Sequence, residues 1–281
     1  MSTPLQLGIF AKTFSRPTLG ETLDAVAGHG LHCIQFNFAC VGLPTLPERI
    51  EPVVLENIRR ELDARQIRIA AVSGTFNLIH PDMEQRREGL RRLPVLAAAS
   101  ARLGVPVITL CTGTRDPDDM WRRHVDNDSP SAWRDLLTGL SEALSVAEGQ
   151  GVTLGIEPET ANVVNSAQTC RRLLDEMKSP RLKVVLDAAN LFHPGDLPRM
   201  REILDEAFDL LGPDIVLAHA KELGPDALPD GRGAGRGVID WEHYLARLRR
   251  DKFSGALILH GLNEDEVGTS VAFLRGKLNA N

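Results

Sequence analysis

Residues 152–159 read VTLGIEPE, and residues 182–191 read LKVVLDAANL. In both stretches an apolar, largely β-branched run ends abruptly at acidic side chains. Nearly continuous apolar runs of this length are typical of strands that are covered on both faces, as in a parallel sheet. Both stretches are therefore predicted to be buried strands with functional groups at their carboxyl ends.

Six further runs of the same kind lie at 5–11, 32–38, 67–76, 105–113, 215–222 and 256–262. Segments with helical periodicity and charged outer positions lie between the runs at 48–65, 85–103 and 132–149 and after the last run at 270–278. Eight strands, each followed by a helix, is the number that closes a barrel, and the spacing of about 36 residues per unit fits that fold. An open doubly wound sheet usually stops at five or six strands. The sequence thus predicts an α/β protein with one (β/α)8 TIM barrel domain over residues 1–281.

The composition narrows the functional class. Of the 281 residues, 43% are hydrophobic and 25% are charged, which excludes a mostly disordered chain. The balance of 32 basic and 38 acidic residues offers no excess of cations for a phosphate backbone, so a nucleic acid is not an expected partner. No run approaches the ~20 apolar residues needed to cross a membrane. The four cysteines form no C-x-x-C pair and the first residues do not resemble a signal peptide, so a cytoplasmic, disulfide-free protein is expected.

The carboxyl ends of the last four predicted strands carry ionisable side chains. In this fold the active site lies at the carboxyl-terminal rim of the barrel. Alternate residues of a strand share a face, so side chains two positions apart can both point to the barrel mouth. The residues concerned are Glu157 and Glu159, Asp187, His219 and Lys221, and His260.

Carboxylates and imidazoles that converge at one rim favour a divalent cation such as Mn²⁺, Zn²⁺, Co²⁺ or Mg²⁺. The scarcity of thiolates there, with only Cys111 nearby, argues against a structural zinc site. Each residue also has a purely structural interpretation. Asp187 alone would more often cap the following helix, and a single histidine in an apolar strand would more often be a hydrogen-bonded core residue. The coincidence on four consecutive strands favours the metal site.

Two loops are candidates for substrate contacts. The longest gap, 113–130, includes Arg115 and Trp121 and is either a lid over the site or a solvated, charged loop with Trp121 folded back on the barrel. The glycine-rich segment 233–237 lacks the spacing of a dinucleotide-binding fingerprint. Its neighbour Arg232 either binds an anionic or polyhydroxylated substrate or merely holds the loop.

Together these residues resemble the sugar phosphate isomerase/epimerase family. That family has a xylose isomerase-like TIM barrel and is related to endonuclease IV in the AP endonuclease family 2 superfamily. The resemblance covers essentially the whole chain, and the stretches 74–81 and 259–262 are similar to a bacterial subgroup of the family. It rests on Glu157, Asp187, His219-x-Lys221 and Gly235-x-Gly237.

The resemblance implies a divalent metal held by Glu, Asp, His and Glu at the ends of strands five to eight. Glu157, Asp187 and His219 match the first three positions, whereas His260 stands where the last Glu is expected. His260 is then either a substitute metal ligand or a general base. The candidate catalytic residues for proton transfer are Glu157, His260 and Glu159. The resemblance and the rim positions also give a set of candidate substrate-binding residues: His80, Asn190, Lys221, Arg232, Arg115 and Trp121.

The activity that the resemblance implies is that of a metal-dependent isomerase or epimerase. Such an enzyme would act on a small sugar, sugar phosphate or keto-acid by proton transfer next to a carbonyl, through an ene-diolate. A sugar-acid lyase or dehydratase and a non-catalytic barrel that binds a sugar-like ligand are the alternatives. DNA repair of the endonuclease IV type is disfavoured by the negative net charge and the acidic stretch 116–119. The expected oligomeric state is either a homodimer or a tetramer.

Overall fold

The computed structural model describes residues 5–279. Eight parallel strands form a closed barrel in sequence order, because β8 pairs with β1. The strands are β1 Gln6–Phe10, β2 Cys33–Phe36, β3 Arg68–Ser73, β4 Val107–Leu110, β5 Thr153–Ile156, β6 Leu182–Asp187, β7 Ile215–Ala220 and β8 Ala256–Leu259. The helices are α1 Leu19–Gly28, α2 Pro52–Ala64, α3 Met83–Arg102, α4 Pro130–Gln150, α5 Ala167–Met177, α6 Met200–Leu211, α7 Trp241–Arg250 and α8 Val267–Asn279. The predicted (β/α)8 barrel is confirmed.

Every strand lies within one of the eight apolar runs of the sequence, but each is shorter than its run. Most of the residues left over lie beyond the carboxyl end of the strand, toward the rim. In β5, for example, the strand ends at Ile156, and Glu157 and Glu159 follow as extended loop. The apolar runs predicted from the sequence therefore include the first residues of the loops that build the rim.

The barrel interior is filled by small and branched apolar side chains. Val185, Leu217 and Ile258 belong to this inner cluster and are buried. Each lies two residues before a polar residue at or next to the carboxyl end of its strand, namely Asp187, His219 and His260, so the apolar and the polar side chain both point to the inside of the barrel. A packed apolar layer thus lies beneath the polar residues of the carboxyl-terminal rim.

All four cysteines are free thiols, as expected for a disulfide-free chain. Within residues 5–279, no helix has both the length and the apolar character that a membrane crossing requires.

Candidate active site

Four side chains from consecutive strands meet at the carboxyl-terminal rim. Glu157, Asp187, His219 and His260 each offer one ligand atom, and these atoms lie within 4.8 Å of one another. The pairing register brings them together, since Asp187 of β6 lies beside His219 of β7. The structure therefore brings together the four residues that the sequence predicts as metal ligands.

Two buried polar atoms of this cluster have no hydrogen-bond partner among the described residues. They are Asp187 Oδ2 and His260 Nδ1. The other carboxylate oxygen of Asp187 accepts a hydrogen bond from the Ala189 amide at 3.0 Å, so Asp187 is also the cap that the structural interpretation expected. Buried polar atoms are rarely left unpaired, and two within one cluster of oxygen and nitrogen donors fit a bound cation.

The orientation of His219 is set by Gln35, a polar residue of the second strand to which the sequence assigns no role. His219 Nε2 lies 2.8 Å from Gln35 Oε1, and the Gln35 amide nitrogen donates to Thr109 Oγ1 at 3.3 Å. Because an amide oxygen only accepts, Nε2 carries the proton. The only signal for this role was a polar residue inside the apolar run 32–38.

His219 Nδ1 faces two carboxylates, at 3.2 Å from Glu157 Oε1 and 3.6 Å from Asp187 Oδ2. Burial lowers the pKa of His219, but the two carboxylates outweigh it and raise this pKa to about 9. A nitrogen lone pair directed at two negative oxygens is stable only with a positive charge between them. In the absence of a metal that charge is a proton, and a divalent cation can replace it.

The other ionisable groups of the site differ in charge. Burial works against ionisation of Asp187, but Lys221 and His219 outweigh it and lower its pKa to about 2. Burial and the positive charge of His219 lower the pKa of His260 to about 4, so its imidazole is neutral near pH 7. For Glu159, burial raises the pKa to about 7 despite the opposing effect of Lys221.

Asn190 and Lys221 form a chain of hydrogen bonds next to the cluster. Lys221 Nζ donates to Asn190 Oδ1 at 2.7 Å, and the Asn190 amide donates to Glu157 Oε1 at 2.8 Å. Burial alone would lower the pKa of Lys221, but the surrounding carboxylates raise it, so the ammonium stays charged. This chain fixes the position of Glu157 and places a cation beside it.

A cavity of about 400 Å³ opens in front of the cluster. Trp121, with 54% of its surface exposed, and Met120 border it from the loop after β4. The loop therefore reaches the cavity through these two side chains. The lining consists of Phe10, Lys12, Gln35, Asn37, Thr45, Ser73, Thr75, Thr109, Met120, Trp121, Glu157, Glu159, His219, Lys221 and His260. Strands five to eight supply its carboxylates and imidazoles, and the first four contribute mostly hydroxyl and amide groups.

His80 and Arg115 are not brought to this cavity. The His80 ring lies 3.1 Å from the carbonyl oxygen of Pro117 through Nε2 and accepts a hydrogen bond from the Asp82 amide. The Arg115 guanidinium donates to the carbonyl oxygen of Ile79 and to Asp135. Both side chains hold the loops after β3 and β4 against each other.

Arg232 also lies outside the cavity lining. Its guanidinium pairs with Asp230 and donates to the carbonyl oxygen of Arg236 at 3.0 Å. The structure thus gives Arg232 the loop-holding role that was one of its two interpretations. In a loop, the direction of a long side chain depends on contacts that sequence position does not reveal.

The loop between β7 and α7 is organised by Glu222, which the sequence did not single out. The Glu222 side chain is 2% exposed. Gly237 lies so close to Glu222 that a Cβ on Gly237 would overlap the Glu222 side chain and the carbonyl oxygen of Leu223. The carboxylate of Glu222 accepts four hydrogen bonds, from Trp241 Nε1 and from the amides of Leu223, Gly235 and Ile239.

Glu222→Ala is expected to lower the free energy of unfolding by at least about 3 kcal/mol, since it leaves several buried donors unpaired. Urea denaturation followed by circular dichroism measures this change. The exposed Glu206→Ala on α6 is the matched control and should change the value by less than about 0.5 kcal/mol. A loss as small as that of the control would show that the loop does not depend on this carboxylate.

Comparison with protein-family models matches residues 23–277 to the family described as xylose isomerase-like TIM barrel. No curated protein sequence matches the chain. Among solved structures, 3-keto-D-glucoside 4-epimerase from E. coli is 17% identical, with a TM-score of 0.74 over 97% of this chain and 99% of that one.

Two further solved structures have the same architecture. Protein SMc04130 from Sinorhizobium meliloti 1021 is 21% identical, with a TM-score of 0.75 over 96% of this chain and 97% of that one. D-psicose 3-epimerase from Clostridium cellulolyticum H10 is 16% identical, with a TM-score of 0.75 over 98% of this chain and 99% of that one. At these identities the likeness shows a shared fold.

Proposed function

Because the chain belongs to the xylose isomerase-like TIM barrel family, we propose that it is a divalent metal-dependent isomerase or epimerase. Its substrate class is a small sugar, a sugar phosphate or a keto-acid. The observation that carries the proposal is the rim cluster of two carboxylates and two imidazoles, in which two buried polar atoms lack a partner. Several structures of the same fold carry the names of sugar epimerases, which supports this chemistry.

The donor set fits the metal. Glu157, Asp187 and His219 would hold it together with His260, whose neutral imidazole and unpartnered Nδ1 suit a ligand. Two oxygen and two nitrogen donors are compatible with Mn²⁺, Co²⁺ and Zn²⁺, and less so with Mg²⁺, which prefers oxygen. When bound, such an ion withdraws electrons from a substrate carbonyl and stabilises the negative charge that develops on its oxygen.

Glu159 is the residue we assign to proton transfer. It lines the cavity, lies two residues from Glu157 and is outside the ligand cluster. Its carboxylate takes the proton from the carbon next to the carbonyl; the electron pair of that C–H bond forms a carbon–carbon double bond, and the carbonyl π pair moves to oxygen to give the ene-diolate. The isomerisation is complete when the proton returns to the former carbonyl carbon and the neighbouring hydroxyl proton passes to the former carbonyl oxygen, so that the neighbouring carbon becomes the new carbonyl.

A single base on one face is sufficient for isomerisation between adjacent carbons. Inversion at one carbon also needs a proton donor on the opposite face. Lys221 is the charged donor next to the cluster, held by Asn190 at 2.7 Å. It is our candidate for this second role, and for orienting a substrate hydroxyl when no inversion takes place.

Gln35→Met is expected to weaken metal binding by about 10- to 100-fold, because it removes the acceptor that fixes the His219 tautomer. Metal affinity is measured by competition with a chromophoric chelator. Gln35→Glu, which keeps an acceptor at this position, should recover part of the loss. Equal affinities for Gln35→Met and the unsubstituted protein would show that Gln35 does not position His219.

The proposed function is tested by incubating the Mn²⁺-, Co²⁺- or Zn²⁺-loaded protein with a panel of aldoses, ketoses and their phosphates. Conversion is followed by NMR in D₂O, because proton transfer next to a carbonyl exchanges hydrogen for deuterium at that carbon. Exchange with an isomeric product supports the proposal. Loss of water or fragmentation of the substrate would identify a lyase or dehydratase. Thermal stabilisation by a sugar without any exchange or product would identify a binding barrel.

A further inference from the structure

A second cavity, of about 430 Å³, lies beside the candidate active site at the same end of the barrel. It is formed by the segment after β3, the first turns of α3 and the loop after β4. Thr75 and Met120 line both cavities. The two cavities therefore adjoin at these two side chains.

An aromatic side chain, Phe76, forms part of the wall of this second cavity. Phe76 is half-buried, and its ring lies so close to Gly89 of α3 that a Cβ on Gly89 would overlap the ring. The glycine thus leaves room for the ring against the helix, and the ring also lines the cavity. An aromatic ring held in this way can serve as a platform for the apolar C–H face of a sugar ring.

The charge of the second cavity selects against anions. Glu88, Asp118 and Asp119 contribute carboxylates to the lining. Arg92, the one arginine or lysine among the described lining residues, pairs with Glu88 and Glu48. A phosphate or carboxylate would meet net negative charge here, whereas hydroxyl groups of a neutral ligand can donate to the carboxylates.

The border between the two cavities is held rigidly. Asp116 accepts hydrogen bonds from the amides of Asp118 and Asp119, both at 3.0 Å. Its carboxylate also pairs with Arg122 at 2.5 Å. The segment that carries Met120 is therefore fixed before a ligand arrives, which reduces the ordering cost of binding.

We propose that the second cavity is a subsite for a neutral sugar unit, so that the ligand of this protein is a disaccharide or glycoside. The reacting unit occupies the cavity at the metal-ligand cluster, and the linked unit packs on Phe76. The inference rests on the proposed function for the chemistry of the first unit, but binding of the second unit requires no turnover.

Isothermal titration calorimetry on the metal-loaded protein tests the subsite. The probes are D-fructose and D-glucose, with the glucosyl-fructoses turanose, maltulose and isomaltulose and the glucosyl-glucoses maltose and cellobiose. At least one disaccharide is expected to bind more than about tenfold more tightly than its monosaccharide. Phe76→Ala should remove this preference and leave the monosaccharide Kd within about twofold. Phe253→Ala, a half-buried phenylalanine that lines neither cavity, is the matched control.

Gln85→Trp is a second variant, because the exposed side chain at position 85 can be enlarged into the cavity without disturbing the core. It should also remove the preference for the disaccharide. The subsite is refuted if no disaccharide binds more tightly than its monosaccharide, or if Phe76→Ala and Gln85→Trp weaken both kinds of probe equally. A preserved disaccharide preference without proton exchange in any sugar would refute the proposed function alone.

Discussion

Asp187→Asn is expected to yield a folded protein that no longer binds a divalent metal. Asp187 is 1% exposed, and its two oxygens have separate tasks: Oδ1 caps the Ala189 amide and Oδ2 faces His219 without a hydrogen bond. Asparagine keeps the capping oxygen and the side-chain volume, but removes the charge that a cation needs. Because a ligand itself is lost, the metal affinity should fall by more than the ~10- to 100-fold that is typical when a residue that only orients a ligand is lost.

Elemental analysis of protein purified without chelator measures this effect. Near-stoichiometric metal is expected in the unsubstituted protein and in Asp63→Asn, a substitution at an exposed position of α2. His260→Ala should lose the metal as Asp187→Asn does, if His260 is a ligand. Metal retained in His260→Ala would make that imidazole a base instead. Full metal content in Asp187→Asn would show that the ion binds elsewhere.

Glu159→Gln is expected to lower kcat by about 10²- to 10⁴-fold while the metal stays bound. This range is the usual contribution of a general acid or base. The amide has nearly the same shape as the carboxylate but cannot take a proton from carbon. Glu157→Gln should differ, since the Glu157 carboxylate belongs to the ligand cluster and its loss should remove metal and turnover together.

The paired readouts are metal content and the rate of deuterium exchange at the carbon next to the carbonyl. Glu142→Gln, at an exposed position of α4, is the control and should retain both. An unchanged exchange rate in Glu159→Gln would move the base to another residue. Retained metal with lost exchange in Glu157→Gln would make Glu157 that base.

Much of the architecture could be predicted from the sequence because it depends on local, periodic rules. A strand buried on both faces must be almost continuously apolar, and eight such runs at regular spacing close a barrel. The alternation of side chains along a strand places Glu157 and Glu159, or His219 and Lys221, on one face. Both pairs line the same cavity in the structure.

The sequence did not reveal which polar residues support the site. Gln35 contacts His219 across a separation of 184 residues, and no local pattern indicates that a glutamine in an apolar strand will meet a particular histidine. The same holds for Glu222, whose role depends on where the loop after β7 folds back. Arg115 and Arg232 lie near strand ends in the sequence, but their side chains turn to neighbouring loops. His80 lines the second cavity and not the first.

The sequence by itself thus determined the barrel, the end of the barrel that carries the site and the four side chains that meet there. These features follow from the alternation of side chains along each strand and from the parallel order of the strands. Only the tertiary structure decided the tautomer of His219, the two unpartnered polar atoms and the cavity next to the first. These depend on loops and long side chains, whose positions are set by contacts between distant segments and by the cost of leaving buried polar groups unpaired.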